Sequence, residues 1–183
     1  FAAGARKCTA NPAILEKAIS NSTYFDDHIF RLHNKEGLSA EEIVWRLAVK
    51  TVQEVADMLL PTYRDSNGMT GMVSLELSPE FANLTEPSLN QAAQLVSLVD
   101  RENLFIKVPG TEAGMEVGRI LIENGQHVNW TLLFTRDQIR RATEASMAEG
   151  GPSDVRSVLS IFVSRPDRVV NALLNEKNSG LDQ

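Results

Sequence analysis

Cysteine and long apolar segments are both scarce in this sequence. Cys8 is the single cysteine among 183 residues, so no disulfide can form within the chain, and a reducing compartment is the simplest interpretation. We expect its side chain to be a small buried hydrophobe. The longest apolar runs, such as 132–134 and 158–163, are far shorter than the roughly 20 residues of a membrane-spanning helix. We therefore expect a cytoplasmic protein that does not contact a membrane, or a plastid protein if a transit segment before Phe1 has been removed.

Excess positive charge and metal-binding patterns are also missing. Lys and Arg number 18 against 24 Asp and Glu, and this formal net charge of −6 argues against nucleic-acid binding. It still allows a local basic pocket for a phosphorylated metabolite. The histidines His28, His33 and His127 are scattered without neighbouring ligands, so no metal site is predicted. No glycine-lysine pair followed by Ser or Thr occurs, which excludes a phosphate-binding loop of the Walker type.

Short β-rich runs alternate with long helical stretches, and this pattern favours an α/β fold with a parallel sheet. A complete (β/α)8 barrel takes about 250 residues and at least about 200, so the chain is too short for one. A doubly wound five-stranded sheet is the structural alternative. The predicted β runs lie near Lys7–Ala10, Met72–Leu77, Leu104–Val108, Val128–Phe134 and Ser157–Val163.

Helix signals fill the intervals between these runs. Ser39 and Glu42 resemble a capping box that opens a helix to about Leu60, where Pro61 follows. An apolar stripe along this helix is predicted at Val44, Ala48, Val52, Val55 and Leu59. Further helices are predicted over 12–19, from a Ser88 cap to about Val99, and over 114–124, 136–147 and 166–176.

Alternation along the strands separates an apolar face from a face with isolated polar groups. The apolar face is predicted to hold Val73, Leu75, Leu77, Leu104, Ile106, Val108, Val128, Trp130 and Leu132. The opposite face is predicted to hold Ser74, Glu76, Lys107, Asn129, Thr131 and the weaker candidate Ser160, with Arg165 just past the last strand. Of these, Ser74 is not singled out as a site residue. In a barrel this face points to the interior, and active sites lie at its C-terminal end.

Lys107 is the residue that gives this polar face a chemical interpretation. Burial in an apolar barrel disfavours a charged ammonium, and a neutral amine is the form that attacks a carbonyl to make a Schiff base. Glu76 and Thr131 can then move protons through a water molecule. Structural alternatives stay open, because Glu76 can be only an ion-pair partner of Lys107, and Asn129 and Thr131 can be buried polar groups satisfied by the backbone.

Five segments in sequence order carry a family resemblance. They read CTANPAILEKAI from Cys8, VSLELSP from Val73, LFIKVPGTEAG from Leu104, VNWTLLF from Val128 and SVLSIFVSR from Ser157. These segments resemble the successive strand motifs of the transaldolases, nearest to the longer bacterial type. The resemblance covers most of the chain.

The resemblance implies an incomplete (β/α)8 barrel of the class I aldolase type that uses neither a metal nor an organic cofactor. Such enzymes of the pentose phosphate pathway transfer a dihydroxyacetone unit from sedoheptulose 7-phosphate or fructose 6-phosphate to an aldose phosphate. A fructose 6-phosphate aldolase-like enzyme and a non-catalytic sugar-phosphate binder are the alternatives. The residue roles that it implies are a Schiff-base lysine at Lys107, acid/base partners at Glu76 and Thr131, and substrate ligands at Asn11, Asn129, Ser160 and, on the phosphate side, Arg165.

The sequence departs from the family pattern at both ends. The family's first-strand aspartate has no counterpart before Phe1, and a second phosphate-binding arginine has none before Gln183. We thus predict one barrel domain over residues 1–183 that lacks the first and the last two strands. An incompletely described chain, a fragment and an inactive relative are the open explanations. The exposed sheet edges then require further residues or a partner chain, so a homo-oligomer is possible. Without the family, Asn11 ahead of Pro12 can equally be a helix cap, and Arg165 can pair with Asp167.

Overall fold

The computed structural model describes residues 4–147 and 154–179 of the chain. The strands in these ranges are β1 (Lys7–Thr9), β2 (Met72–Glu76), β3 (Leu104–Pro109), β4 (Val128–Leu133) and β5 (Ser157–Ile161). The α-helices are α1 (Pro12–Ser20), α2 (Asp26–Asn34), α3 (Ala40–Asp65), α4 (Thr85–Val99), α5 (Glu112–Glu123), α6 (Arg136–Ser146) and α7 (Ser164–Ser179). Single 3₁₀ turns lie at Thr23–Phe25 and Pro79–Phe81. Each predicted β run therefore contains a strand, which confirms the alternating β and α order.

The five strands form one parallel sheet whose spatial order is the chain order, β1-β2-β3-β4-β5. A doubly wound sheet reverses its strand order at a switch point, so that alternative is wrong. Strands that always pair with the preceding strand, with helices between them, curl in one direction. The fold is therefore an incomplete (β/α)8 barrel with five βα units, as predicted.

The main hydrophobic core lies between the outer face of this sheet and the helices. Val73, Ile106 and Val108 of the central strands are at most 1% exposed and pack in one cluster with Ala56 of α3 and Val117 of α5. Successive side chains of a strand point to opposite faces of the sheet. The residues next to these outward-facing ones therefore point to the inner face. The apolar outer face thus determines which side chains point into the barrel.

Helix α3 differs from its prediction in length and in its buried stripe. It continues past Leu60 through Pro61 to Asp65. Proline removes one backbone hydrogen bond, and Pro61 lies on the exposed side, where water can solvate the freed carbonyl of Asp57. Although α3 has 26 residues, no helix in the described ranges has the length and apolar character needed to cross a membrane.

The predicted apolar stripe of α3 is wrong at one end. Val44 is 44% exposed, whereas Ile43 and Leu47 are buried against Phe25 and Leu32, beside α2. The predicted stripe omits the contact of Ile43 and Leu47 with Leu32 because helix α2 was not predicted. The remaining positions of the stripe follow the prediction, with Ala48, Val52 and Leu59 buried and Val55 half-buried.

Several helix starts also lie earlier than predicted. Helix α4 begins at Thr85, and the Ser88 hydroxyl is no cap, since it donates a hydrogen bond to the Phe81 carbonyl at 2.8 Å. Helix α5 begins at Glu112 because Thr111 caps it, accepting from the Gly114 amide at 3.0 Å. Helix α7 begins at Ser164. The predicted starts of α5 and α7 are thus two residues late, and Ser88 lies within the first turn of α4.

The alternation of β4 breaks near its C-terminal end. Leu132 has a φ of 56° and the pairing with β5 shifts between Trp130 and Leu133. Leu133, not Leu132, is therefore fully buried in the outer core, so the predicted placement of Leu132 is wrong. A bulge of this kind redirects side chains, and here it lies beside the polar inner face.

Strand β1 lies at an edge of the described sheet and pairs only with β2. Lys7, Cys8 and Thr9 are all exposed, so the expectation of a buried Cys8 is wrong. At the other edge, Val169 and Leu173 of α7 are more than half exposed. A covering element at these edges remains a prediction.

The contact between Gly118 and Trp130 provides a test of core packing. A Cβ atom at Gly118 would lie 2.3 Å from Trp130 Cη2, and Trp130 is fully buried. We expect Gly118→Ala to destabilise the fold by about 1–3 kcal/mol through overpacking, measured by urea unfolding. Trp130→Phe removes the benzo ring atoms, so the double variant should lose less stability than the sum of the single variants. Additive losses would show that this contact is not the cause.

His127 joins three elements at the N-terminal end of the sheet. Its Nδ1 accepts a hydrogen bond from the Arg156 amide at 3.0 Å, and its Nε2 lies 3.4 Å from the Tyr63 hydroxyl. Burial lowers the pKa of His127 below its ordinary 6.5, and the charge of Arg156 acts in the same direction. Asp154 and the backbone of Glu102 oppose this shift of the pKa. The folded state therefore favours the neutral ring, which keeps Nδ1 free to accept.

This arrangement predicts a pH-dependent stability. Above pH 6.5 the ring is neutral in both states, but below 6.5 the unfolded chain gains a proton that the fold resists. The free energy of unfolding should thus fall as pH drops from 6.5 toward the lower pKa of the folded state. Urea unfolding between pH 5 and pH 8 should show a smaller decrease for His127→Gln, which has no titrating ring. Parallel curves for the two proteins would contradict this role.

Candidate active site

Polar side chains from β2, β3 and β4 meet on the inner face of the sheet. The strand register pairs Glu76 with Lys107 and Lys107 with Asn129. Thr131 lies two residues beyond Asn129 on the same face and is 1% exposed. The structure therefore brings together the four inner-face residues predicted from the alternation.

Lys107 and Glu76 form a buried ion pair across neighbouring strands. Lys107 Nζ donates to Glu76 Oε2 at 2.8 Å, and the two side chains are only 8% and 16% exposed. Removing two charges from water costs free energy, and the attraction between them offsets this cost only when the geometry is good. Removing one partner leaves an uncompensated buried charge. The pair thus holds an amine and a carboxylate at hydrogen-bond distance on the inner face.

A second polar network crosses the sheet beside this pair. Asn129 Nδ2 donates to Ser74 Oγ at 2.9 Å, and the Ser160 hydroxyl donates to Asn129 Oδ1 at 2.9 Å. The network links β2, β4 and β5, and it fixes the orientation of the Asn129 amide. Ser160 therefore joins the predicted cluster. Ser74 was missed as a site residue, although its position two residues before Glu76 on the same face was the available signal.

Thr131 carries a buried hydroxyl without a protein partner. Within the described residues its Oγ1 has no hydrogen bond and negligible exposure. The alternative in which the backbone satisfies this threonine is therefore wrong. An unpaired buried hydroxyl is costly in a purely structural role, so it marks this position as one where a ligand or water can bind.

Asn11 lies at the start of α1 and acts as its N-cap. Its Oδ1 accepts from the Ile14 amide at 2.8 Å, and Pro12 occupies the first helical turn. The cap interpretation is thus confirmed, and no hydrogen bond joins Asn11 to Lys107 or Asn129 in the described part of the chain. Its role toward a substrate stays a prediction.

Arg165 lies outside the polar cluster, in the first turn of α7. It is exposed, and its guanidinium lies 4.7 Å from the centre of the Phe162 ring. No ion pair with Asp167 forms between these described residues, so that alternative is wrong. The stack positions the guanidinium just past the C-terminal end of β5 and leaves its hydrogen-bond donors available.

A metal site needs several Asp, Glu, Cys or His side chains close together. Among residues 4–147 and 154–179, no group of three or more of them is placed to hold a metal ion. The chemistry available at the inner face is therefore that of an amine, a carboxylate, an amide and hydroxyl groups.

The link between Ser74 and Asn129 can be tested directly. Ser74→Ala leaves the buried Asn129 amide without an acceptor, so we expect a loss of about 1–3 kcal/mol in the free energy of unfolding. Ser160→Ala, at a half-buried position, should cost less. Urea unfolding gives the stabilities, and hydrogen exchange of the Asn129 side-chain amide should accelerate in Ser74→Ala. Unchanged exchange would show that the hydrogen bond does not form in solution.

Comparison with known proteins identifies the family. The family model described as Transaldolase/Fructose-6-phosphate aldolase matches residues 2–183. A curated transaldolase of Campylobacter jejuni (strain 81-176) is 35% identical over 188 residues, which cover 96% of this chain and 56% of that protein. Transaldolases of Trichodesmium erythraeum and Mycobacterium bovis (strain BCG / Pasteur 1173P2) are 35% and 34% identical, covering 95% and 93% of this chain and 48% of each relative.

The chain thus spans about half the length of the curated relatives that it matches. The family model covers all five strands of the described sheet. The resemblance seen in the strand motifs is confirmed, and the chain belongs to the transaldolase/fructose-6-phosphate aldolase family.

Proposed function

We propose that the inner-face cluster binds a ketose phosphate as a Schiff base on Lys107, and that the chain acts as a transaldolase. It transfers a dihydroxyacetone unit from sedoheptulose 7-phosphate or fructose 6-phosphate to an aldose phosphate. The observation that carries this proposal is the buried Lys107–Glu76 pair, with Nζ and Oε2 2.8 Å apart. Membership of the family supports the same reaction class.

The ion pair supplies the first proton transfer. Glu76 takes a proton from the Lys107 ammonium, and the neutral amine attacks the C2 carbonyl carbon of the ketose. Glu76 returns this proton to the hydroxyl group of the carbinolamine, which leaves as water, and the resulting protonated Schiff base withdraws electrons as the C3–C4 bond breaks. The proton of the C4 hydroxyl passes to the Glu76 carboxylate, and the aldose phosphate leaves. The remaining enamine attacks the acceptor aldehyde, whose oxygen takes the proton from Glu76, and hydrolysis of the new Schiff base restores the lysine.

The other polar residues have separate parts in this scheme. The Thr131 hydroxyl holds a water molecule against Glu76 and so relays protons to and from the carbinolamine. Asn129, Ser160 and Asn11 bind the hydroxyl groups of the dihydroxyacetone unit. Arg165 binds the phosphate, because its planar guanidinium matches phosphate oxygens and its donors are free of other ion pairs within the described residues. No metal or organic cofactor takes part in any step.

Borohydride trapping tests the covalent step. Incubation with fructose 6-phosphate and sodium borohydride should add a reduced three-carbon or six-carbon fragment to the peptide that contains Lys107, detected by mass spectrometry. Lys107→Met, which keeps a similar side-chain volume, should abolish the adduct. Glu76→Gln should slow its formation by about a hundredfold or more, as expected for loss of a general acid/base group.

Matched controls separate the possible outcomes. Lys35→Met changes an exposed lysine on the protein surface and should leave trapping intact. A rate that depends on erythrose 4-phosphate indicates transfer, whereas release of free dihydroxyacetone without an acceptor indicates an aldolase. Calorimetric binding of the sugar phosphate without turnover would indicate a non-catalytic binder. An adduct on a different lysine would overturn the assignment of Lys107.

A further inference from the structure

A cavity of about 400 Å³ lies on the helix side of β2, between this strand, α1 and α3. Its inner wall is apolar and includes Leu15, Ala48, Val52 and Leu75, all of which belong to the outer core. Leu75 points away from the barrel interior, so this part of the cavity lies on the opposite side of the sheet from Lys107. Its volume lies in the range of pockets that bind small molecules, about 300–1,000 Å³.

Aromatic and acidic groups line the rest of the cavity. The Trp45 indole is half-buried, and Glu41 and Glu80 are exposed. Neither of these two carboxylates forms an ion pair or a side-chain hydrogen bond with a described residue. Glu76 also belongs to the lining, so the cavity adjoins the Lys107 site at the end of β2. The uncharged polar residues of the lining are Asn11, Thr51 and Ser78.

The charges of the lining select among ligand classes. No Lys, Arg or His is among the described residues that line the cavity. A phosphate or carboxylate ligand would therefore meet only like charge. A cation gains from the unpaired carboxylates and from the indole face, while an apolar body gains from the inner wall.

We propose that this cavity is a binding site for small amphipathic cations, in which an ammonium group is joined to an aliphatic or aromatic body. The ammonium lies near Glu41 and Glu80, with Trp45 beside it, and the apolar body packs against Ala48, Val52 and Leu75. The cavity thus complements such a ligand in both charge and polarity. Binding of the ligand does not require that Lys107 be catalytically active.

Matched probes of one shape test the proposal on the full chain. 2-Phenylethylammonium and its neutral counterpart 2-phenylethanol are titrated by calorimetry and by fluorescence of Trp45. Saturable binding of the cation is expected, with a change in fluorescence that Trp45→Phe removes, since the other tryptophan, Trp130, is fully buried elsewhere. The neutral probe should bind several-fold more weakly.

Surface variants separate the charge and the volume contributions. Glu41→Gln and Glu80→Gln should each weaken binding of the cation by about twofold to fivefold, the usual range for an exposed ion pair, without affecting the neutral probe. Glu86→Gln changes the equivalent first-turn position of α4, outside the cavity, and should have no effect. Val44→Phe, from a position 44% exposed on the lining, should fill the cavity and abolish binding.

Val169→Phe, on the exposed face of α7, is the control for added bulk. Unfolding curves check that each variant folds. Equal affinity for both probes, or binding that survives Val44→Phe, would overturn the proposal. Absence of saturable binding in the unmodified protein would do the same.

Discussion

A buried ammonium paired with a buried carboxylate is the constraint around which the inner face is arranged. Lys107 and Glu76 lie on neighbouring strands at matched register positions, so a shift of one residue would turn one of them toward the helices. The pair tolerates burial only while both partners stay together at 2.8 Å. Its retention therefore depends on the register of β2 and β3, which the apolar outer face maintains.

The outer face maintains that register because it cannot slip without exposing its side chains. Val73, Ile106 and Val108 are at most 1% exposed, and a slip would place them in the barrel interior and their polar neighbours among the helices. The same alternation that builds the core thus presents Glu76, Lys107 and Asn129 on the opposite side. Stability and chemistry are separated by strand face, which leaves the inner positions open to polar residues.

Alternation explains how much the sequence could predict. It placed the inner-face residues correctly on three strands and offered Ser160 as a weaker candidate on the fifth. It failed at Leu132, because a bulge depends on backbone geometry that residue polarity does not report. It also missed α2, whose buried residue Leu32 packs in a second small cluster with Ile43 and Leu47 of α3. Ser74 was missed because its function depends on reaching Asn129 across β3, a contact between elements that are not neighbours in the sheet.

The chemical role predicted for Lys107 depends on its neighbours as well as on its position on the polar face. The structure adds a carboxylate at 2.8 Å from the lysine nitrogen, which polarity along the strands does not reveal. In the proposed reaction this carboxylate takes the proton of the lysine ammonium. This arrangement offers a proton acceptor at the position where the reaction releases a proton.

The Asn129 network completes this argument because it limits how a substrate can bind. An asparagine amide has two N–H donors and an oxygen with two lone pairs. Ser74 accepts from one N–H of the amide, and the Ser160 hydroxyl donates to one lone pair of Oδ1, which leaves one donor and one acceptor site. A sugar hydroxyl can both donate and accept a hydrogen bond, so it can bind to the remaining donor and acceptor sites of the amide. In the proposed reaction the network thereby fixes the face on which a ketose approaches Lys107, since the two serines on β2 and β5 prevent the amide from rotating.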